Sequence, residues 1–205
     1  MTTEILPADY RLDIVDIELE LQAAGLAKVQ HAGQMYDKEP PFSGAPRRPF
    51  FEEHLERPAN RLREQGYGSV AVAGIYLHDI VEDTDMTVER LRDEHEFPDI
   101  VVEAVDLVTK RPGQDFWDYL RAIGEHSLAT IIKYEDSSGN MANTLLGYPK
   151  VAPDKRARRL DRYSATLDYL GPRLLKPTTF GRDPWIHGRP PRGAVQIPHQ
   201  RQEAA

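Results

Sequence analysis

The residues with the most chemistry to offer stand together in Leu77-His78-Asp79-Ile80-Val81-Glu82-Asp83-Thr84. His78 and Asp79 can bind a metal, while Glu82 and Asp83 can orient water or take a proton. The run leading to them, from Ser69 to Leu77, is apolar on almost every side. Such a run predicts a helix buried in the middle of a bundle, not one lying on a surface. Gly68-Ser69 offers an N-cap, and residues 69–84 are enough for about four helical turns. On one continuous helix His78 and Glu82 share a face, and Asp79 and Asp83 share the next. A buried helix carries such groups only if something compensates them, because an unpaired buried charge is very costly. A divalent cation on His78 and Asp79 would do so, with Glu82 and Asp83 just outside it, close to water on the ion. A plain helix end with solvated acids is the alternative.

Two more segments repeat this logic. Phe50–Gln65 reads as a helix with His54 in its first turns, and Leu55 and Leu62, seven residues apart, on its buried face. Ser127–Tyr134 is a second apolar run, and it delivers Glu135 and Asp136. His54, His78, Asp79 and Asp136 are thus four potential ligands on three separate predicted helices. Asn140 lies one turn beyond Asp136 and can share its face, although Gly139 is a place for that helix to bend or end. His31 has three readings: a site residue, a donor to one, or a favourable charge at a helix C-terminus.

The elements that must position these groups are helical. Ile14–Gln34 is rich in Leu, Ala, Glu and Gln, which favour helix, with Gly33 as terminator. Leu12, Ile14, Ile17 and Leu19 partly alternate, which leaves a short strand open there. Asp37–Pro49, with four prolines and Gly44, is a loop. Thr87 should cap a short helix over Val88–His95. Phe97–Thr109 carries an apolar stripe through Ile100, Val101, Ala104, Val105 and Val108. Phe116–Ile123 is another short helix. Asp154 starts a last amphipathic helix, with Leu160, Tyr163, Leu167 and Leu170 on one face and five basic residues on the other. From Gly171 the chain is rich in proline and basic residues, extended or disordered in character. The expected organisation is an all-α domain over 1–170 and a Pro-rich basic tail over 171–205.

The bulk composition narrows the function. The 205 residues suffice for one domain with a real core, and the net charge of −7 argues against a general nucleic-acid binder. The chain has no cysteine, which excludes a disulfide frame and a thiolate nucleophile. Any metal must then take imidazole nitrogen and carboxylate oxygen, a set that suits Mn, Fe, Ni, Zn or Mg. Met1–Tyr10 lacks a basic-then-apolar signal pattern and no apolar run reaches membrane-spanning length. A cytoplasmic protein with no membrane partner is the expectation, and self-association into a homo-oligomer is left open.

The pattern His54…His78-Asp79…Asp136 resembles the HD superfamily of metal-dependent phosphohydrolases. Within it, His78-Asp79-Ile80-Val81-Glu82-Asp83-Thr84 followed by Thr87 is similar to the HD-x-VEDT stretch of the RelA/SpoT-type alarmone hydrolase domain and its small single-domain relatives. His31-Ala32-Gly33-Gln34 resembles that family's HxGQ segment, and Val108-Thr109-Lys110 its VTK segment. Lys133-Tyr134-Glu135-Asp136, with Asn140-Met141 following, stands where the family has K-x-A-D-R-x-x-N-M. The resemblance runs from about Ala23 to about Leu170. It implies an HD-domain helical bundle with one Mn ion held by His54, His78, Asp79 and Asp136. It implies that Glu82 and Asp83 position or deprotonate the attacking water. Asn140, Lys110, Lys133 and His31 would be substrate-side residues, and a hydrolase-only protein without a synthetase or regulatory domain is the expectation.

The departures fall on positions that recognise substrate. Ser137 replaces the Arg after the third-motif Asp, Glu135 replaces Ala before it, and Gly139 replaces a His. Met35-Tyr36 follow HAGQ where a basic residue usually helps to hold the base. A Pro-rich loop separates that motif from His54, and His54 lacks the proline that follows the family's histidine. The expected function is hydrolysis of a phosphate or pyrophosphate ester of a nucleotide, with guanosine 3′-diphosphate-type alarmones as the first substrate class. A 5′-mononucleotide or NADPH is the enzyme alternative. A catalytically idle HD domain that binds nucleotide or a protein partner, docking through the basic tail and Trp185, is the reading from another class. A nucleic-acid role would rest on the tail and last helix alone.

Overall fold

A computed structural model describes residues 15–37, 46–147 and 150–174, and among these the chain is all-α, as expected. The helices are α1 (Ile17–Gln30), α2 (Arg57–Gln65), α3 (Ser69–Leu77), α4 (Ile80–Asp83), α5 (Val88–Asp93), α6 (Asp99–Val108), α7 (Phe116–Gly124), α8 (Ser127–Leu145) and α9 (Pro153–Leu174). The possible strand near the start is not seen in the described part, since Ile17 and Leu19 lie in α1; Leu12 and Ile14 lie outside the described residues. Extended pairing among the described residues is limited to one antiparallel bridge between Met35 and Pro49. Among the described residues no helix is long and apolar enough to cross a membrane.

The hub is α3. All nine of its residues are buried, and it packs against α1, α2, α6 and α8. Close approach is achieved with small side chains: Ala23 and Ala27 of α1 are fully buried, and Gly74 lies under Ile132 of α8. A Cβ at Gly74 would stand 2.4 Å from Ile132 Cδ1, so any larger residue there would force the Ile132 side chain to shift. Ser69 ties three helices through a buried polar knot. Its hydroxyl donates to Glu20 Oε1 (2.6 Å) and accepts from the Asp16 amide (2.6 Å), while Arg63 Nε donates to Glu20 Oε2 (2.7 Å). Satisfied in this way, a buried carboxylate can be carried inside the bundle.

Two helices depart from the expected continuous form, both beside site residues. The run 69–84 breaks after Leu77, with His78 and Asp79 in a turn before α4. The His78 imidazole Nδ1–H donates to the Ile75 carbonyl at 2.8 Å. That is the acceptor the Asp79 amide would use in an unbroken helix, so a side chain has displaced a backbone bond. The Phe50–Gln65 helix begins with a π-helical turn, Phe51–Glu56, before α2. Pro58 at this junction has no N–H to give an α-helical ladder, and the wider turn accommodates the gap. His54 sits inside that turn. The other ends follow local rules: Gly33 and Gly66 adopt φ of +77° and +88°, and Thr87 caps α5 by accepting from the Arg90 amide at 3.2 Å. Helix α6 starts two residues later than the apolar stripe suggested, after Pro98.

Helix α8 runs straight through Gly139 for 19 residues, and α9 lies along it. Asp154 belongs to the first turn of α9, where it pairs with Arg158 at 2.6 Å. The helix passes residue 171, the expected start of the tail, and continues through Pro172 to Leu174. The rest of the tail, 175–205, lies outside the described residues, as does much of the Pro-rich loop.

Candidate metal centre

His78 is delivered by the C-terminal end of α3, His54 by the π-helical turn, and Asp136 by the middle of α8. His54 Nε2 lies 2.8 Å from Asp79 Oδ2 and 3.6 Å from Asp136 Oδ1. His78 Nε2 lies 3.3 Å from Asp79 Oδ2 and 3.6 Å from Asp136 Oδ1. The candidate ligand atoms of His54, His78 and Asp79 all fall within 4.8 Å of one another. Residues separated by up to 82 positions thus converge, with the Asp136 carboxylate beside the group formed by His54, His78 and Asp79.

The donor set fits a divalent ion. A carbonyl only accepts, so the Ile75 bond puts a proton on Nδ1 of His78 and leaves Nε2 facing inward. That Nε2 is buried and has no hydrogen-bond partner, which is costly unless a cation fills the role. Burial opposes a charge on His78, yet the carboxylates of Asp79 and Asp136 outweigh it and hold the imidazole well above its ordinary pKa. For Asp79 too burial opposes charge, but His78 and His54 keep the carboxyl well below its usual range. The pocket therefore favours positive charge between its carboxylates.

Around this point the structure distributes the other expected residues unequally. Asn140 Nδ2 donates to Asp136 Oδ1 (2.5 Å), so it orients a candidate ligand. Lys133 is turned inward, with its ammonium 2.9 Å from Asp136 Oδ2. Burial disfavours the Lys133 charge, but Asp136 more than compensates and raises its pKa. Lys110 contributes its backbone amide to Glu82 Oε1 (2.5 Å), and the residue itself is exposed. Glu82 and Asp83 reach solvent. Partial desolvation, then the neighbouring Asp79 charge, raises both carboxyls above their ordinary values; the Lys110 bond opposes this at Glu82.

His31 stands farther off. It is buried, its Nδ1 lies 2.9 Å from Gln34 Oε1, and its ring stacks on Phe50 with centroids 4.8 Å apart. Phe50 in turn lies 4.9 Å from the His54 ring. His31 is therefore one aromatic ring removed from the cluster, and Gln34 Nε2 ties the same segment to the Asp83 carbonyl at 3.1 Å.

Four residues at the site were not anticipated. Tyr36 donates its hydroxyl to Asn140 Oδ1 (3.1 Å) and accepts from Asn143 Nδ2 (3.2 Å), and its ring lies 5.5 Å from that of His54. Burial pushes its phenol up to about 12. Arg48 fastens this corner with a two-point pair to Asp37 (2.7 and 2.8 Å) and a bond to Glu53 (2.7 Å). Arg61 of α2 pairs with the buried Glu135 and lies where a side chain at Gly139 would be, with Nη2 2.9 Å from the position of a Cβ. Arg61 thus neutralises Glu135, the acid that stands where the family has Ala. A buried acid followed one turn later by glycine is the one local trace of that guanidinium; Tyr36 stood out only as a departure from the family's motif and Arg48 only as a basic loop residue that could face a phosphate or water, and nothing marks Asn143.

A solved structure described as a metazoan orthologue of SpoT that hydrolyses ppGpp and plays a role in starvation responses superposes on this chain. The TM-score is 0.59 at 20% identity, over 74% of this chain and 85% of that one. The chain has the HD-domain fold. No protein-family model and no curated protein sequence matches it.

Proposed function

We propose that this chain is a Mn-dependent phosphohydrolase that cleaves a phosphate or pyrophosphate ester of a nucleotide, with guanosine 3′-diphosphate-type alarmones as its first substrate class. The observation that carries the reading is the unpartnered, buried Nε2 of His78 facing two carboxylates and a second imidazole. His54, His78, Asp79 and Asp136 would hold the ion. When bound, such an ion acidifies water and neutralises charge on a phosphoryl oxygen. Glu82 and Asp83 orient water and accept its proton at their carboxylate oxygens, and raised pKa values bring both closer to neutrality, where a general base works best. The Lys110 amide fixes the Glu82 carboxylate, and Lys133 and Asn140 fix that of Asp136.

A different nucleotide, such as a 5′-mononucleotide or NADPH, is favoured by one observation. Where a basic residue would help to hold the base stands Tyr36, whose hydroxyl is already engaged by Asn140 and Asn143. The deciding experiment is phosphate and pyrophosphate release from a panel of ppGpp, NADPH and mononucleotides, with and without Mn, beside an Asp79→Ala control. Mn-dependent turnover absent in the control supports the reading and names the substrate. A protein that binds no divalent metal would sink it.

A further inference from the structure

A row of four hydrogen bonds leads from Arg48 to the candidate metal ligand Asp136. Asn140 Nδ2 donates to Asp136 Oδ1 (2.5 Å) and Tyr36 Oη to Asn140 Oδ1 (3.1 Å). Asn143 Nδ2 donates to Tyr36 Oη (3.2 Å), and Arg48 Nη1 to Asn143 Oδ1 (3.4 Å). The direction of the row is fixed from both ends. A carboxylate only accepts, so Asn140 must present its nitrogen to Asp136 and its oxygen to Tyr36. That oxygen takes the one phenol proton, and the phenol oxygen must then accept from the nitrogen of Asn143. Asn143 is left with its oxygen toward Arg48, whose guanidinium can only donate. Cation and anion thus demand the same direction, and hydrogen bonds aligned in this way polarise one another. Burial pushes the Tyr36 phenol up to about 12, so its proton stays in place at neutral pH.

The row ends on the oxygen that matters most. Asp136 Oδ1 is the atom 3.6 Å from both His54 Nε2 and His78 Nε2, while Lys133 holds Oδ2 at 2.9 Å. A lone hydrogen bond between side chains one helical turn apart is weak, so Asn140 needs a second tie to stay on Asp136. We propose that Tyr36 is a positioning residue for the ion site: through Asn140 it fixes the Asp136 oxygen that faces the two imidazoles, and so raises affinity for a divalent cation. This role rests on the function proposed above only in taking His54, His78, Asp79 and Asp136 as the ligands. Tyr36 is anchored independently of them. Its amide donates to the Arg48 carbonyl (2.9 Å), the Arg48 guanidinium lies 5.1 Å from its ring, and Arg48 is tied to Asp37 and Glu53. The segment after α1 thereby sets a side chain on α8, 104 residues away. Removing a partner that orients a metal ligand typically weakens metal binding by about 10–100-fold.

The test is a double-mutant cycle read as Mn affinity, by calorimetric titration of the metal-stripped full chain, with circular dichroism and melting temperature as folding controls. Asn140→Ala should weaken Mn binding by about 10–100-fold. Tyr36→Phe removes the hydroxyl but keeps the ring that packs 5.5 Å from that of His54. It should weaken Mn binding about tenfold, at the lower end of that range, with the melting temperature kept. In the Asn140→Ala background the same change should weaken binding no further, because the hydroxyl acts through that amide. Asn143→Leu, one bond farther out, should weaken it less than Tyr36→Phe does. A role in folding alone would lower the melting temperature and produce no such order. Full Mn affinity in Tyr36→Phe, or an equal loss with and without the Asn140 amide, would overturn the proposal. A wild type that binds no divalent metal would overturn it together with the function proposed above. A protein that passes the cycle but hydrolyses none of the nucleotides would sink that function alone.

Discussion

Two buried helices deliver site residues here, and they do so in opposite ways. Helix α3 stops at its candidate ligands: the His78 side chain takes the Ile75 carbonyl, the ladder breaks, and Nε2 is left buried without a hydrogen bond. Helix α8 passes straight through its candidate ligand, and Asp136 is held by Lys133 and Asn140 within the same helix. Arg61 reaches across from α2 to neutralise the adjacent Glu135. One half of the site is thus satisfied by the protein's own hydrogen bonds, while the other turns a buried nitrogen toward two carboxylates. The difference teaches where metal and stability should be coupled: strongly at His78, weakly at Asp136.

The largest expected effect breaks the α3 half. His78→Ala should abolish Mn binding and turnover and lower stability by about 2–4 kcal/mol, the range for emptying a buried site. Calorimetric metal titration and chemical denaturation measure the two. Glu82→Gln comes next. It should cut turnover by about 10²–10⁴-fold, as for loss of a general base, while metal binding stays intact. Because the Glu82 carboxyl is raised in the folded state, its charge opposes folding once the pH exceeds the ordinary carboxylate range, so this variant should melt slightly higher than wild type at pH 7. Equal turnover of the two proteins would remove Glu82 from its role.

On the α8 side the effects should be structural. Glu135→Gln strands Arg61 beside a neutral amide and should destabilise by about 1–3 kcal/mol, with a partial recovery in the Arg61→Met/Glu135→Gln double variant. Metal affinity should change little, and a large loss would show that the two halves are not separable. The smallest effect is electrostatic and lies at the Tyr36 corner. The Arg48 hydrogen bonds hold the Asp37 carboxyl below its usual range. The stability from this pair is therefore full above the ordinary carboxylate pKa and is lost only as pH falls through the lowered one. Asp37→Asn should flatten that acid limb in denaturation curves recorded from pH 6 down to pH 3.

How much of this was legible follows the range of the forces involved. Apolar runs at 69–77 and 127–134 announced buried helices, because burial on every face needs no partner to be named. Thr87 and Gly33 announced helix ends, because caps and left-handed turns are settled within a few residues. The pattern of His54, His78-Asp79 and Asp136 announced a possible site for the same reason that it resembled a family: the order of residues survives where the angles between helices are unknown. The break at His78 was missed because it depends on which rotamer a side chain takes, and only packing around α3 decides that.

The sequence by itself determined the helices, their apolar faces, and the groups able to hold an ion. Tertiary structure alone decided the company those groups keep. Tyr36 meets Asn140 across 104 residues and Arg61 meets Glu135 across 74. Such pairings form only after the helices have docked, since closing loops of that length costs entropy that no local preference can offset. The same docking turned one side of α1 inward and left Ile17, Leu21, Gly25 and Val29 facing out.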